Sequence, residues 1–218
     1  MAKIEEKNPL DNLMHKYEAN KKRINTIVTV VLVATIGGLV YTEMVRKPKV
    51  EKAATTIAWA QRMLEVDSFN LALNGNAEHP GFLSVKKKYS GTPTANLCNH
   101  YIGVCYLQMG DFDNAIKYLE DFDGKGTQLS YAAWGALGDA YMEKGNTEKG
   151  IQYYEKAAGN KDDKVFTPMF LYRLAVAYEI SNNTEKAQEA YKRIKADFPQ
   201  SQVAQDIDRH LARVGIID

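Results

Sequence analysis

The sequence predicts an all-α chain: one N-terminal transmembrane helix followed by a solenoid of helical hairpins. Two observations predict it. From Ile24 to Thr42 the run INTIVTVVLVATIGGLVYT holds 19 residues without a charge. Beyond it, one set of small and large residues returns at a step of 35 and then of 37. The whole chain has 218 residues, 45% apolar and 25% charged, which excludes a wholly disordered or collagen-like polymer.

Residues 1–23 read as a short cytoplasmic amphipathic segment with six Lys/Arg against four Asp/Glu. Asn8 can cap a helix, Pro9 suits its first turn, and Asp11 stands near the positive end of the dipole. Leu10, Leu13, Met14 and Tyr17 then fall on one face, fit for an interface or a partner.

Residues 24–45 read as the span. At about 1.5 Å per residue, the uncharged run covers roughly 28 Å, close to the roughly 30 Å of a bilayer's hydrocarbon. A buried core helix would carry a polar stripe, and here Asn25, Thr26, Thr29 and Thr35 are scattered. Tyr41-Thr42-Glu43-Met44-Val45-Arg46 offers no small-x-small cleavage site, so the expectation is a retained anchor. Both flanks are basic. The Lys21-Lys22-Arg23 triplet favours a cytoplasmic N-terminus over the looser Arg46, Lys47, Lys49 and Lys52. Ala34 and Gly38, four apart, form a small-xxx-small pair that suits close approach by another helix.

Residues 46–93 read as a linker helix and a degenerate N-terminal hairpin. Ala53, Ala54, Ile57, Ala58, Ala60, Met63 and Leu64 suggest a long helix, Leu71–Gly81 a break, and Pro80 to Val85 the start of a shorter helix ending near Tyr89-Ser90-Gly91. Residues 94–200 hold the repeats. The middle one reads Trp134-x2-Leu137-Gly138-x2-Tyr141, then Gly150-x3-Tyr154 and Ala157. The same frame gives Asn99-x2-Ile102-Gly103-x2-Tyr106 and Ala115-x3-Leu119 upstream, and Leu171-x2-Leu174-Ala175-x2-Tyr178, Ala187-x3-Tyr191 and Pro199 downstream. Small residues let the two helices of a hairpin approach, and Tyr106, Tyr141 and Tyr178 fill the space between hairpins. The turns Met109-Gly110-Asp111, Lys144-Gly145-Asn146 and Ser181-Asn182-Asn183 carry the expected chemistry. Residues 201–218, with Val203, Ile207, His210, Leu211 and Val214 at helical spacing, read as the cap that a stacked array needs.

This pattern resembles the tetratricopeptide repeat, W-x2-L-G-x2-Y…A-x3-F…P; the outer repeats depart from it by placing Asn99 and Leu171 where the Trp stands. The resemblance implies a concave groove lined by the first helix of each hairpin. Here the groove residues would be Leu97, His100, Val104 and Leu107, then Asp139, Met142 and Glu143, then Met169, Tyr172, Val176 and Ile180. Some relatives clamp a terminal carboxylate with Lys, Arg and Asn; the matching positions here are apolar or acidic, so an apolar segment or amphipathic helix is the better guest.

Chemistry is not visible. The four histidines have no metal-ligand spacing, and no nucleophile and base are paired, so neither enzyme, metal nor cofactor is expected. Cys98 and Cys105 lie about 10 Å apart on one helix, too far for a disulfide. Asp121 to Gly126 lacks the ligand series of a calcium loop and the Gly-x4-Gly-Lys of a phosphate loop, so a turn is expected. Residues 46–218 hold 22 basic and 22 acidic side chains, which gives no field for nucleic acid.

In its order of parts the chain resembles the YfgM-like proteins, ancillary subunits of the SecYEG translocon. That resemblance implies a single-pass anchor in the bacterial inner membrane and a periplasmic repeat domain. It also implies, as partners, SecYEG, a PpiD-type chaperone and emerging unfolded chains. A cell-envelope assembly scaffold and a mitochondrial import receptor share the architecture and stand as alternatives.

Overall fold

The structure is a computed structural model and describes residues 9–216. Among the described residues it is built from helices, with no strand beyond an isolated bridge between Gly75 and Pro80. The chain divides into two compact units, one ending at Glu51 and the other beginning at Lys52.

In the first unit, α1 runs unbroken from Pro9 to Tyr41, so the basic segment and the apolar run share one helix. The expected cap Asn8 and the side chain of Asp11 lie outside the described part of the chain. From Ile27 to Tyr41 every large apolar side chain is exposed, all around the helix. Such a surface is stable only in lipid or against other protein. The helix is long and apolar enough to cross a membrane, which makes it a candidate span. Its three threonine hydroxyls are satisfied internally. Thr26, Thr29 and Thr35 donate to carbonyls one turn back at 2.8–2.9 Å, as an apolar medium requires. A π-helical turn, Thr42–Arg46, leads into α2 (Lys47–Thr56). Pro48 accounts for it: a proline ring clashes with the carbonyl four residues back, and a widened turn relieves that clash.

In the second unit, α3 (Ala58–Glu65) stops earlier than the sequence suggests. Asp67 takes φ 56°, and the Ser68 N–H reaches the Met63 carbonyl at 2.8 Å, a Schellman stop without glycine. Leu71, read as the start of a break, instead sits inside α4 (Phe69–Asn74), and α5 (Phe82–Lys88) follows. These short helices form a core of Ala60, Leu73, Phe82 and Val85 against Cys98 and Ile102 of α6 (Pro93–Gln108).

Three hairpins follow: α6 with α7 (Phe112–Glu120), α8 (Leu129–Glu143) with α9 (Thr147–Ala157), and α10 (Phe166–Ile180) with α11 (Thr184–Asp197). Their turns are built alike. Gly110, Gly145 and Asn182 take φ of 77°, 74° and 59°, and Asp111, Asn146 and Asn183 cap the next helix through their side chains. The cap residues' N–H groups return to the carbonyls of Tyr106, Tyr141 and Tyr178 at 2.8–2.9 Å. The close approach predicted for the small residues is real. A Cβ on Gly103 would lie 2.5 Å from Leu119 Cγ, one on Gly138 2.5 Å from the Tyr154 ring, and one on Gly150 2.6 Å from Met142 Sδ. The predicted terminal helix is preceded by a 3-10 turn, Gln202–Asp206. Only α12 (Ile207–Arg213) is α-helical, and it buries Ile207 and Leu211 with Val214 against the last hairpin.

Candidate protein-binding groove

A cleft of 530 Å³ opens where the three hairpins present their first helices. Leu107 from α6, Phe112 from α7 and Met142 from α8 give it an apolar lining, all three half-buried. Asp139 and Glu143 enter from α8, and Arg173 from α10. Four predicted groove residues, Leu107, Asp139, Met142 and Glu143, are thus brought together in one site.

Asp139 is neutralised inside the cleft. Arg173 Nη1 binds its Oδ2 at 2.5 Å, and the Tyr154 hydroxyl donates to its Oδ1 at 2.7 Å. Burial, and then the Asp139 charge, push the Tyr154 phenol well above its ordinary range, so it remains a proton donor. Arg173 reaches from the third hairpin to the second, so this pair ties neighbouring repeats together. The exposed Glu143 carboxylate has no such partner among the described residues and stands at the rim. Repeat spacing does not single out Arg173, although it is the only charge before Glu179 in an otherwise apolar α10.

The other predicted groove residues are placed differently. His100 is a correction. It is 7% exposed, with its ring 5.4 Å from Phe122 and 5.6 Å from Tyr101, because the connection after α7 folds Phe122 over that face. Its counterpart Gly135 explains the geometry: a Cβ there would collide with the Phe170 ring of the next hairpin, so this position faces a neighbour and not the groove. Tyr172, at the same repeat position, lies 5.1 Å from His210 of α12 and 6.1 Å from Tyr191. Leu97 packs against the N-terminal core. Val104 and Val176 are half-buried, whereas Met169 and Ile180 are 41% and 58% exposed.

Asn99, which stands where the repeat pattern has Trp, binds the chain after α7. Its Nδ2 donates to the Asp121 carbonyl at 3.1 Å, and Asn96 exchanges two hydrogen bonds with the Asp123 backbone at 2.8 and 2.9 Å. Asp121 to Gly126 is therefore a tied-down connection. Cys98 and Cys105 are fully buried free thiols, pushed up to about 12 by burial, which leaves them protonated and unreactive. Among the described residues, no group of three or more His, Cys, Asp or Glu is placed to hold a metal ion.

Models of the tetratricopeptide repeat match residues 103–165 and 170–201. Together with the hairpin geometry they show that this part of the chain is built of tetratricopeptide repeats, and the described residues hold one candidate membrane span besides. A search of curated proteins found no match. Repeats of this kind are scaffolds that bind other proteins, through extended concave surfaces.

Proposed function

We propose that this chain is a non-catalytic, membrane-anchored scaffold that assists emerging polypeptides beside the SecYEG translocon. A PpiD-type chaperone is its companion in this reading. The observation that carries it is the joining, in one chain, of an exposed apolar span to a repeat cleft with an apolar lining of Leu107, Phe112 and Met142. The internal pairing of Asp139 with Arg173 favours an apolar segment or amphipathic helix as guest over a terminal carboxylate. The basic triplet Lys21-Lys22-Arg23 supports a cytoplasmic N-terminus, and the resemblance to YfgM-like proteins supports a bacterial inner membrane and a periplasmic repeat domain. The groove in this reading runs from Val104 and Leu107 through Asp139, Met142 and Glu143 to Val176 and Ile180.

Photocrosslinking from Met142 in intact cells tests the reading. Adducts with secretory precursors and with SecY are expected. Adducts only with outer-membrane assembly factors would replace the translocon with a cell-envelope role. Protease added to spheroplasts should digest residues 50–218, and protection of that region would reverse the orientation.

A further inference from the structure

The first helix carries a second pattern that the anchor reading does not use. From Leu10 to Tyr41, ten positions follow one another at alternating steps of three and four. They include Leu10, Leu13 and Tyr17 before the apolar run, and Ile24, Ile27 and Val31 within it. The small pair Ala34 and Gly38 continues the same line. This is a heptad seam, the period at which one helix winds against another. It passes without a break from the basic segment into the span because α1 does.

The geometry agrees with the spacing. A groove of 480 Å³ runs along α1, lined on the seam by Leu13, Tyr17, Ile24 and Ile27, with Lys16 and Arg23 along one edge. Lys21 stands on the other edge, by its place in the heptad. Leu13 is 65% exposed and Tyr17 44%, and among the described residues Lys16, Lys21 and Arg23 enter no ion pair. The seam's one amide, Asn20, lies in the same groove. A polar residue there fixes register against a partner.

The charges decide the occupant. Two copies of this chain insert in the same direction, so their helices could pair only in parallel. Lys16 of each would then face Lys21 of the other, twice by symmetry, at the flanking positions where coiled coils select partners. We propose that this seam docks a helix of a different membrane protein, apolar through the bilayer and carrying Asp or Glu where it meets Lys16, Lys21 and Arg23. The proposal rests on residues 24–45 spanning a membrane, and needs neither the repeat groove nor the translocon.

The test uses the full chain in phosphatidylcholine vesicles, with a fluorophore at Glu18→Cys, a position off the seam. Cys98 and Cys105 are fully buried and leave that label selective. The probe is a synthetic single-span peptide with Leu at its seam positions and Glu at the three flanking positions; a second peptide has Lys in their place. Energy transfer should show the Glu peptide binding about ten-fold more tightly, as three partly screened ion pairs would give. The triple variant K16E/K21E/R23E should invert the order. Equal binding of the two peptides overturns the proposal. So does self-association of the labelled chain with an affinity matching that for the Glu peptide, which would make a second copy the occupant. Binding that appears only with added phosphatidylglycerol, alike for both peptides, would assign the basic edge to lipid and overturn the proposal as well. Retention after carbonate extraction reads the span separately, so a retained chain that ignores the peptides fails on the seam alone.

Discussion

Tyr178 donates its phenolic hydrogen bond to Glu155 Oε1 at 2.5 Å, across the junction between the second and third hairpins. Tyr141 does the same to Glu120 at 2.9 Å, across the junction before it. In both pairs the carboxylate comes from the second helix of one hairpin and the tyrosine from the first helix of the next. The large residue of the repeat pattern thus fills the junction with its ring and bridges it with its hydroxyl.

Removing that hydroxyl isolates the bridge from the packing. Tyr178→Phe should lower unfolding stability by about 1–2 kcal/mol, the worth of a hydrogen bond to a charged acceptor at a partly exposed site. Tyr178→Ala should cost roughly 3–5 kcal/mol, because the cavity is added. Urea titrations of the two variants read the difference. A Tyr178→Phe variant as stable as the wild type would show that the hydroxyl contributes nothing.

Two glycines differ in why they are glycines. Gly145 has φ 74°, and a Cβ added there would meet nothing within 4 Å. Gly145→Ala therefore loses only what left-handed backbone costs a side chain, about 1–2 kcal/mol. Gly138 is helical and a Cβ there meets the Tyr154 ring at 2.5 Å, so Gly138→Ala is overpacked and should cost about 1–3 kcal/mol. Tyr154→Leu should rescue part of the second loss and none of the first, as chemical denaturation of the single and double variants would show.

Acid should destabilise the repeat domain through His100. Burial holds this imidazole down at about 4, below an unfolded-state value of about 6.5. Between those values the unfolded chain binds a proton that the folded chain refuses. Stability is therefore full above pH 6.5 and falls as pH drops towards 4, by about 3 kcal/mol over the window. Thermal melts across that range should show the decline, and His100→Leu should flatten it. A wild-type melting temperature constant from pH 7 to 4.5 would contradict the burial of the ring.

In the groove, Leu107→Asp together with Met142→Asp should weaken capture of an amphipathic helical peptide by at least about ten-fold, since two half-buried apolar contacts are lost. Circular dichroism should stay helical. Arg173→Met should cost about 1 kcal/mol of stability, because Asp139 keeps the Tyr154 hydroxyl and some access to water. Unchanged peptide affinity in the double variant would place the guest elsewhere.

Much of this molecule is legible in one dimension because its determinants are local. The caps Asp111, Asn146 and Asn183 act within three residues, and the left-handed Gly110, Gly145 and Asn182 sit immediately before them. The end of α3 is not legible, because Asp67 takes the left-handed place where a glycine would have announced it. Within the groove, spacing alone brings Leu107, Asp139, Met142 and Glu143 to one face. It cannot exclude His100, whose cover is Phe122, 22 residues away and outside any helix.

The sequence by itself determined an uncharged run long enough for a bilayer and three helical hairpins in register, because helix period, turn chemistry and residue size are properties of short stretches. Tertiary structure alone decided which residues of a shared face stay open. Burial depends on what neighbouring hairpins and their connections bring over that face. The placing of Arg173 on Asp139, and of Phe122 on His100, joins residues that no repeat period relates.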